Sequence, residues 1–145
     1  MDIALNEVVV PALQASGFKG SFPHFRRPSF EAIDLLTFQF DKWGGGFVIE
    51  IARCSAEGYY AHWGKHIPPS KVRAWDLNPS LRYRVPPISG DGMDAWFRFD
   101  SGHVREIASQ VISSLPEAES WWRSQAQQGA APDRFLATSR QQDGS

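Results

Sequence analysis

Two runs of alternating apolar and polar residues, separated by a cluster of glycines, constrain this chain more than any other feature. Leu36, Phe38 and Phe40 alternate with Thr37, Gln39 and Asp41. After Lys42, Trp43 and the glycines at 44–46, Phe47, Ile49 and Ile51 alternate with Val48, Glu50 and Ala52. A strand sends successive side chains to opposite faces, so period two on both sides of a Gly-rich connection reads as an antiparallel hairpin. Setting Phe40 opposite Phe47 brings Phe38 opposite Ile49, Leu36 opposite Ile51 and Thr37 opposite Glu50. The glycines fit turn chemistry. A phosphate-binding loop would end in Gly-Lys-Ser/Thr, and a dinucleotide fingerprint would lead into a helix.

A hairpin cannot bury its apolar face alone, and the flanking patterns supply partners. Leu5, Val8, Val9, Ala12 and Leu13 follow the spacing of one helix face. Pro11 is expected to kink that helix, and Gly17 to cap it with Phe18 folding back on the last turn. The stretch 21–30 reads as a short extended piece that Pro23 and Pro28 would confine to a sheet edge. Residues 55–80 are rich in Gly, Pro and aromatics and have no clean period. Segments 82–85 and 95–100 read as further strands joined by a loop at 86–94. Asp100 or Ser101 then caps a helix with the stripe Val104, Ile107, Ala108, Val111, Ile112 and Leu115. Ser114 and Glu117 have capping-box spacing, so a second helical segment is expected to restart there and run to about 129. The result is an α+β fold: a mostly antiparallel sheet of four to five strands with N- and C-terminal helices packed on one face. The expected organisation is a single domain over 1–128 and a polar tail over 129–145.

The helices take the apolar face of Leu36, Phe38, Phe40, Phe47, Ile49, Ile51, Tyr83, Val85, Phe97 and Phe99. The opposite face is then polar, and its candidate binding residues are Arg27, Gln39, Glu50, Arg82, Arg84, Trp96 and Arg98. Such a face can be a solvated surface with cross-strand charge pairs, each worth roughly 0.2–1 kcal/mol. The sharper alternative is a recognition surface, because Arg and Trp concentrate binding energy and Arg grips carboxylates or phosphates in bidentate geometry. Arginine outnumbers lysine by 11 to 4 in the chain, which fits structured contacts. A second candidate surface is the loop carrying Tyr59, Tyr60, Trp63 and Trp75, rings that the apolar face does not absorb. Trp121 and Trp122 read as helix packing anchors.

Charge and cysteine content exclude several classes. Lys and Arg total 15 against 16 Asp and Glu, a net charge of -1, so a protein held on nucleic acid by phosphate neutralisation is not expected. The single cysteine, Cys54, rules out an internal disulfide framework and a zinc site built mainly on cysteines. The acidic start and the lack of a long apolar run predict neither a signal peptide nor a membrane span. His62 and His66 are four apart, but Gly64 and the following Ile67-Pro68-Pro69 oppose a helix, and the glutamate of a zinc-protease motif is absent. Cys54 has no basic helix start to activate it. Glu50 beside Arg84 or Arg98 reads more readily as a structural ion pair than as a tuned catalytic carboxylate. No catalytic residue, cofactor or metal is expected.

The chain resembles the bacterial domain-of-unknown-function 4304 family. The resemblance lies in the N-terminal helix ending Leu13-x-x-x-Gly17-Phe18-Lys19, in Phe25-Arg26-Arg27, in Phe38-Gln39, in the strand from Phe47 to Ile51, in Arg82-Tyr83-Arg84 and in Trp96. It covers the chain from about Val9 to Trp96 and, more loosely, the last helix. It implies a small α+β domain, no established activity and a stand-alone bacterial cytoplasmic protein, and it marks Gln39 as a candidate site residue. The leading expectation is a non-catalytic protein-interaction module whose partner is another protein, and in a more specific version an immunity-type protein that binds and occludes a toxin. The alternatives are a binder of a small anionic ligand on the polar face and, third, a hydrolase or transferase using Glu50 and a loop histidine.

Overall fold

The computed structural model describes residues 1–61, 64–87, 95–99 and 103–138, with 128–138 as backbone only. The first helix comes in three pieces: α1 (Asp2–Ala4), a π-helical turn (Leu5–Val9) and α2 (Val10–Ala15). Pro11 explains the middle piece. Its missing N–H and its ring disturb the turn before it, and the chain answers with a wider π turn in which the Val10 N–H donates to the Leu5 carbonyl. The expected kink is thus a π bulge. The helix ends as its sequence indicates, with Gly17 at φ 97°. Phe18 N–H reaches the Leu13 carbonyl at 3.0 Å and Gly17 N–H the Gln14 carbonyl at 3.0 Å, closing a Schellman cap.

The main sheet runs β1 (Lys19–Ser21), β2 (His24–Pro28), β3 (Ala32–Phe40) and β4 (Gly46–Ser55), all antiparallel neighbours. The β3–β4 register is the expected one, with Phe40 opposite Phe47, Phe38 opposite Ile49, Leu36 opposite Ile51 and Thr37 opposite Glu50. Strand β2 is not the edge that its prolines suggested. The three exposed residues of β1 cover it from His24 to Arg26, while Pro28 lies beyond their reach and Pro23 sits in the turn between the two strands. Lys19, Gly20 and Ser21 carry no apolar alternation, so nothing in the pattern announced them.

Between β4 and the next edge partner lie β5 (Tyr59–Tyr60) paired with β6 (His66–Ile67), and two 3-10 turns, Ala74–Asp76 and Pro79–Leu81. The far side of β4 is filled by two short strands, β7 (Tyr83–Arg84) and β8 (Phe97–Arg98). Val85 N–H donates to Ile49 and Phe99 N–H to Gly45, extending each piece by one bond. Continuing the β7 register would put position 87 opposite Phe47, yet Phe97 is there. The main sheet therefore has six strands, with β7 and β8 sharing the free side of β4 in registers ten residues apart. The final helix, α3 (Val104–Thr138), is continuous through Pro116 rather than restarting there, and it passes the point where a tail was expected. The side chains of His62 and Trp63, positions 88–94 of the expected loop, the expected caps Asp100 and Ser101, and 139–145 lie outside the described residues.

Two cores share the sheet. On the helix side, Leu5, Val9, Leu13, Ile107, Ala108, Val111, Ala118 and Trp122 pack on Phe25, Leu36, Phe38, Phe47, Ile49, Ile51 and Phe97. The rings interlock, Phe47 stacking on Phe97 at 5.2 Å and 5°. The other face is not the open polar surface that was expected. Ile33, Leu35, Ala52 and Cys54 are buried there beneath Val72, Ala74 and Leu77, which belong to the segment without a clean period. The sheet is covered on both sides at one end, and the helices lie on one side as expected.

Candidate functional site

The register draws a polar row across the second face: His24 opposite Thr37, Thr37 opposite Glu50, and Glu50 opposite Arg84. Thr37 and Glu50 are buried. A buried carboxylate needs compensation, and Glu50 receives it at both oxygens: Arg82 Nη1 donates to Oε1 and Arg84 Nε to Oε2, each at 3.1 Å. Arg82 does more. Its Nε donates to the Leu77 carbonyl at 2.9 Å and its Nη2 to the Trp75 carbonyl at 3.1 Å, so one guanidinium fastens the covering segment to the sheet.

That fastening fixes Trp75. Its ring meets the His24 ring at 4.5 Å in an edge arrangement, and the Arg73 guanidinium lies over it at 5.2 Å. Arg73 in turn grips Asp76 through Nε and Nη2. His24 Nδ1 is 3.0 Å from Thr37 Oγ1. Burial, and next the charge of Arg73, hold the His24 imidazole below its ordinary pKa. Tyr59 places its hydroxyl to accept the Asn78 N–H at 3.2 Å, and the Tyr60 ring packs on His66 at 4.4 Å. Between these groups opens a cleft of about 210 Å³ lined by Tyr59, Trp75, Asp76, Leu77, Pro79 and Arg82 among others.

Of the expected polar-face residues, Glu50, Arg82 and Arg84 come together. Gln39 stands one row nearer the hairpin turn, half-buried and opposite Val48. Trp96 and Arg98 lie beside that turn, the Arg98 guanidinium 5.9 Å from the Trp96 ring. Gly46 permits this approach, because a Cβ there would meet the Phe97 carbonyl at 3.2 Å and the Trp96 ring at 3.4 Å. Of the loop rings, Tyr59 and Trp75 border the cleft. Trp63 lies outside the described residues.

Arg27 is not on this face. It points to the helix side, where it binds Asp34 and, in bidentate fashion, Glu119 of α3, with its guanidinium over Phe18 at 4.6 Å and Trp122 at 5.1 Å. Burial opposes its charge, but the hydrogen bonds to Glu119 and Asp34 outweigh it and hold the pKa above the ordinary value. Asp34 is also bound by Arg53 at 3.0 Å, and burial nonetheless lifts its carboxyl above the usual range. The residues missed from sequence are His24, Arg73 and Asp76. His24 could have been found, because it alternates with the core residue Phe25. Arg73 and Asp76 had no periodic signal.

Chemically, the site is a set of committed charges around an aromatic-walled cleft. Among the described residues no group of His, Cys, Asp and Glu is arranged to hold a metal. Cys54 is buried, and burial followed by the charge of Asp34 pushes its thiol up to about 12. No helix among the described residues is long and apolar enough to cross a membrane.

Fold and site together define a small α+β domain: an antiparallel sheet with helices on one face and a clamped, aromatic-bearing segment on the other. The sequence matches the family described as a domain of unknown function (DUF4304) over residues 9–125, and the chain belongs to that family. No curated protein and no solved structure matches it.

Proposed function

We propose that this protein is a non-catalytic protein-interaction module that presents the segment 56–82 to a partner protein. One observation carries the reading. Of the six large apolar side chains exposed among the described residues, Tyr60, Trp75 and Leu81 lie on this one segment, which Arg82 anchors to the sheet. Aromatic residues held rigidly at a surface are the type that dominates interface energetics, and clustered exposed apolar groups mark contact sites. Two side chains with catalytic potential are committed: both oxygens of Glu50 accept from guanidiniums, and the Cys54 thiol is buried. The family resemblance supports reading it as a bacterial cytoplasmic protein, and the finer version is an immunity-type protein that occludes a toxin.

The test is affinity capture of the tagged protein from its native host under gentle conditions. A stoichiometric protein should co-purify with the wild type and be lost from a Tyr60→Ser, Trp75→Ala variant. If that protein is a toxin, its expression alone should arrest growth and co-expression should relieve the arrest. A clean monomer with nothing captured overturns the reading.

A further inference from the structure

The charges around the cleft are sorted by exposure. The carboxylates are the hidden members: the Glu50 side chain is 5% exposed and that of Asp76 15%. Their partners are the visible ones, Arg84 at 47% and Arg73 at 42%. Both adjoin the cleft. Arg84 shares the Glu50 carboxylate with the cleft-lining Arg82, and Arg73 lies over the cleft-lining Trp75. A chain of net charge -1 therefore turns a locally cationic rim outward at its aromatic surface. Guanidiniums outnumber carboxylates there, Arg73, Arg82 and Arg84 against Glu50 and Asp76, and Asp76, which itself lines the cleft, leaves only 15% of its side chain exposed.

We infer that the partner supplies an acidic polypeptide segment, which seats one apolar side chain beside Trp75 and pairs its carboxylates with Arg73 and Arg84. This rests on the protein-interaction reading and names the chemistry of its partner. The cleft volume argues for a side chain: about 210 Å³ falls below the roughly 300–1,000 Å³ of pockets that enclose whole small ligands. Charge complementarity argues for carboxylates, which a guanidinium takes with two parallel hydrogen bonds. Nucleic acid is the poorer match, because it is held by a run of cations along its backbone, and here two exposed guanidiniums flank a single pocket.

The experiment titrates the full-length protein with three probes: a Glu-rich peptide with one central Phe, the same peptide with each Glu replaced by Lys, and a single-stranded oligonucleotide. Indole N–H resonances are followed by NMR, with the Trp75 signal assigned by its loss in Trp75→Phe. The acidic peptide should shift the Trp75 resonance, and the other two probes should not. Binding should weaken as salt is raised. It should fall by about tenfold or more in the Arg73→Gln, Arg84→Gln variant, whose thermal unfolding should stay near that of the wild type because both groups are partly solvated. The inference is overturned if no acidic peptide moves Trp75, if the Lys peptide or the oligonucleotide binds as well, or if the double variant binds unchanged. Capture of a host partner that tolerates the double variant would leave the interaction module standing and remove this inference alone.

Discussion

A carboxylate held between two guanidiniums of unequal exposure gives unequal answers to truncation, and Glu50 makes that a measurement. Removing Glu50 leaves Arg82 without its carboxylate in a poorly solvated site, so Glu50→Ala should cost about 3–5 kcal/mol in urea unfolding. Arg84 is half-solvated, and Arg84→Ala should cost no more than about 1 kcal/mol in the same assay. Equal costs would mean that the pair is not asymmetric. His24 gives a pH signature. Its folded pKa lies below its ordinary 6.5, so the fold prefers the neutral imidazole, and stability present above 6.5 is lost as pH falls toward the folded value. Denaturation curves across this window should show a decline on acidification that is shallower in His24→Gln. Alternation made much of this legible: Glu50 and Arg84 fall on one face by counting. The same counting condemns Arg27, which shares parity with buried Phe25 and hence faces the helices. Its charge suggested the polar side, but a part-buried network with Asp34, Arg53 and Glu119 offsets the cost of turning it inward.

At the scale of elements, the hairpin was readable because residues 36–40 and 47–51 place their largest apolar side chains at every second position, which fixes the register, whereas 32–35 and 52–54 are covered on both faces and gave no alternation. Segment 56–82 was not, because its strands and turns are two or three residues long. Its order comes from the burial of Val72, Ala74 and Leu77 and from side-chain bonds to backbone, chiefly those of Arg82, none of which leaves a period in the sequence. Helix α3 lies between these cases: its stripe was visible, but Ser114 and Pro116 suggested a break. Ser114 instead donates from a buried site to carbonyls within reach, those of Gln110 in its own helix and Pro86 outside it. The docking of α3 centres on Trp122, whose ring packs on Phe18 at 5.2 Å and whose indole donates to the Ala52 carbonyl at 2.9 Å. Trp122→Ala should cost about 3–5 kcal/mol. Trp122→Phe keeps most of the packing and removes the donor, so it should cost about 1–3 kcal/mol. Thermal and urea unfolding read both, and a Phe variant as unstable as the Ala variant would assign the stability to the hydrogen bond.

Over the whole molecule, strands β3 and β4 contribute to both cores, Leu36, Phe38 and Ile49 on the helix side and Leu35, Ala52 and Cys54 on the other. Loss of either strand would dissolve both cores. Far-UV dichroism and tryptophan fluorescence should therefore give coincident urea transitions, and separated midpoints would show that the covering segment unfolds by itself. The sharing of one side of β4 by two short strands carries a different implication. Strand β7 and strand β8 each dock on β4 with their own backbone bonds, and α3, which follows β8, has its own buried seat on the helix-side core. The second piece thus has contacts of its own besides its covalent link to the first. Two polypeptides divided between positions 87 and 95 are expected to reassemble on mixing, read as recovery of the far-UV dichroism of the intact chain, and no recovery would show that the covalent link is required.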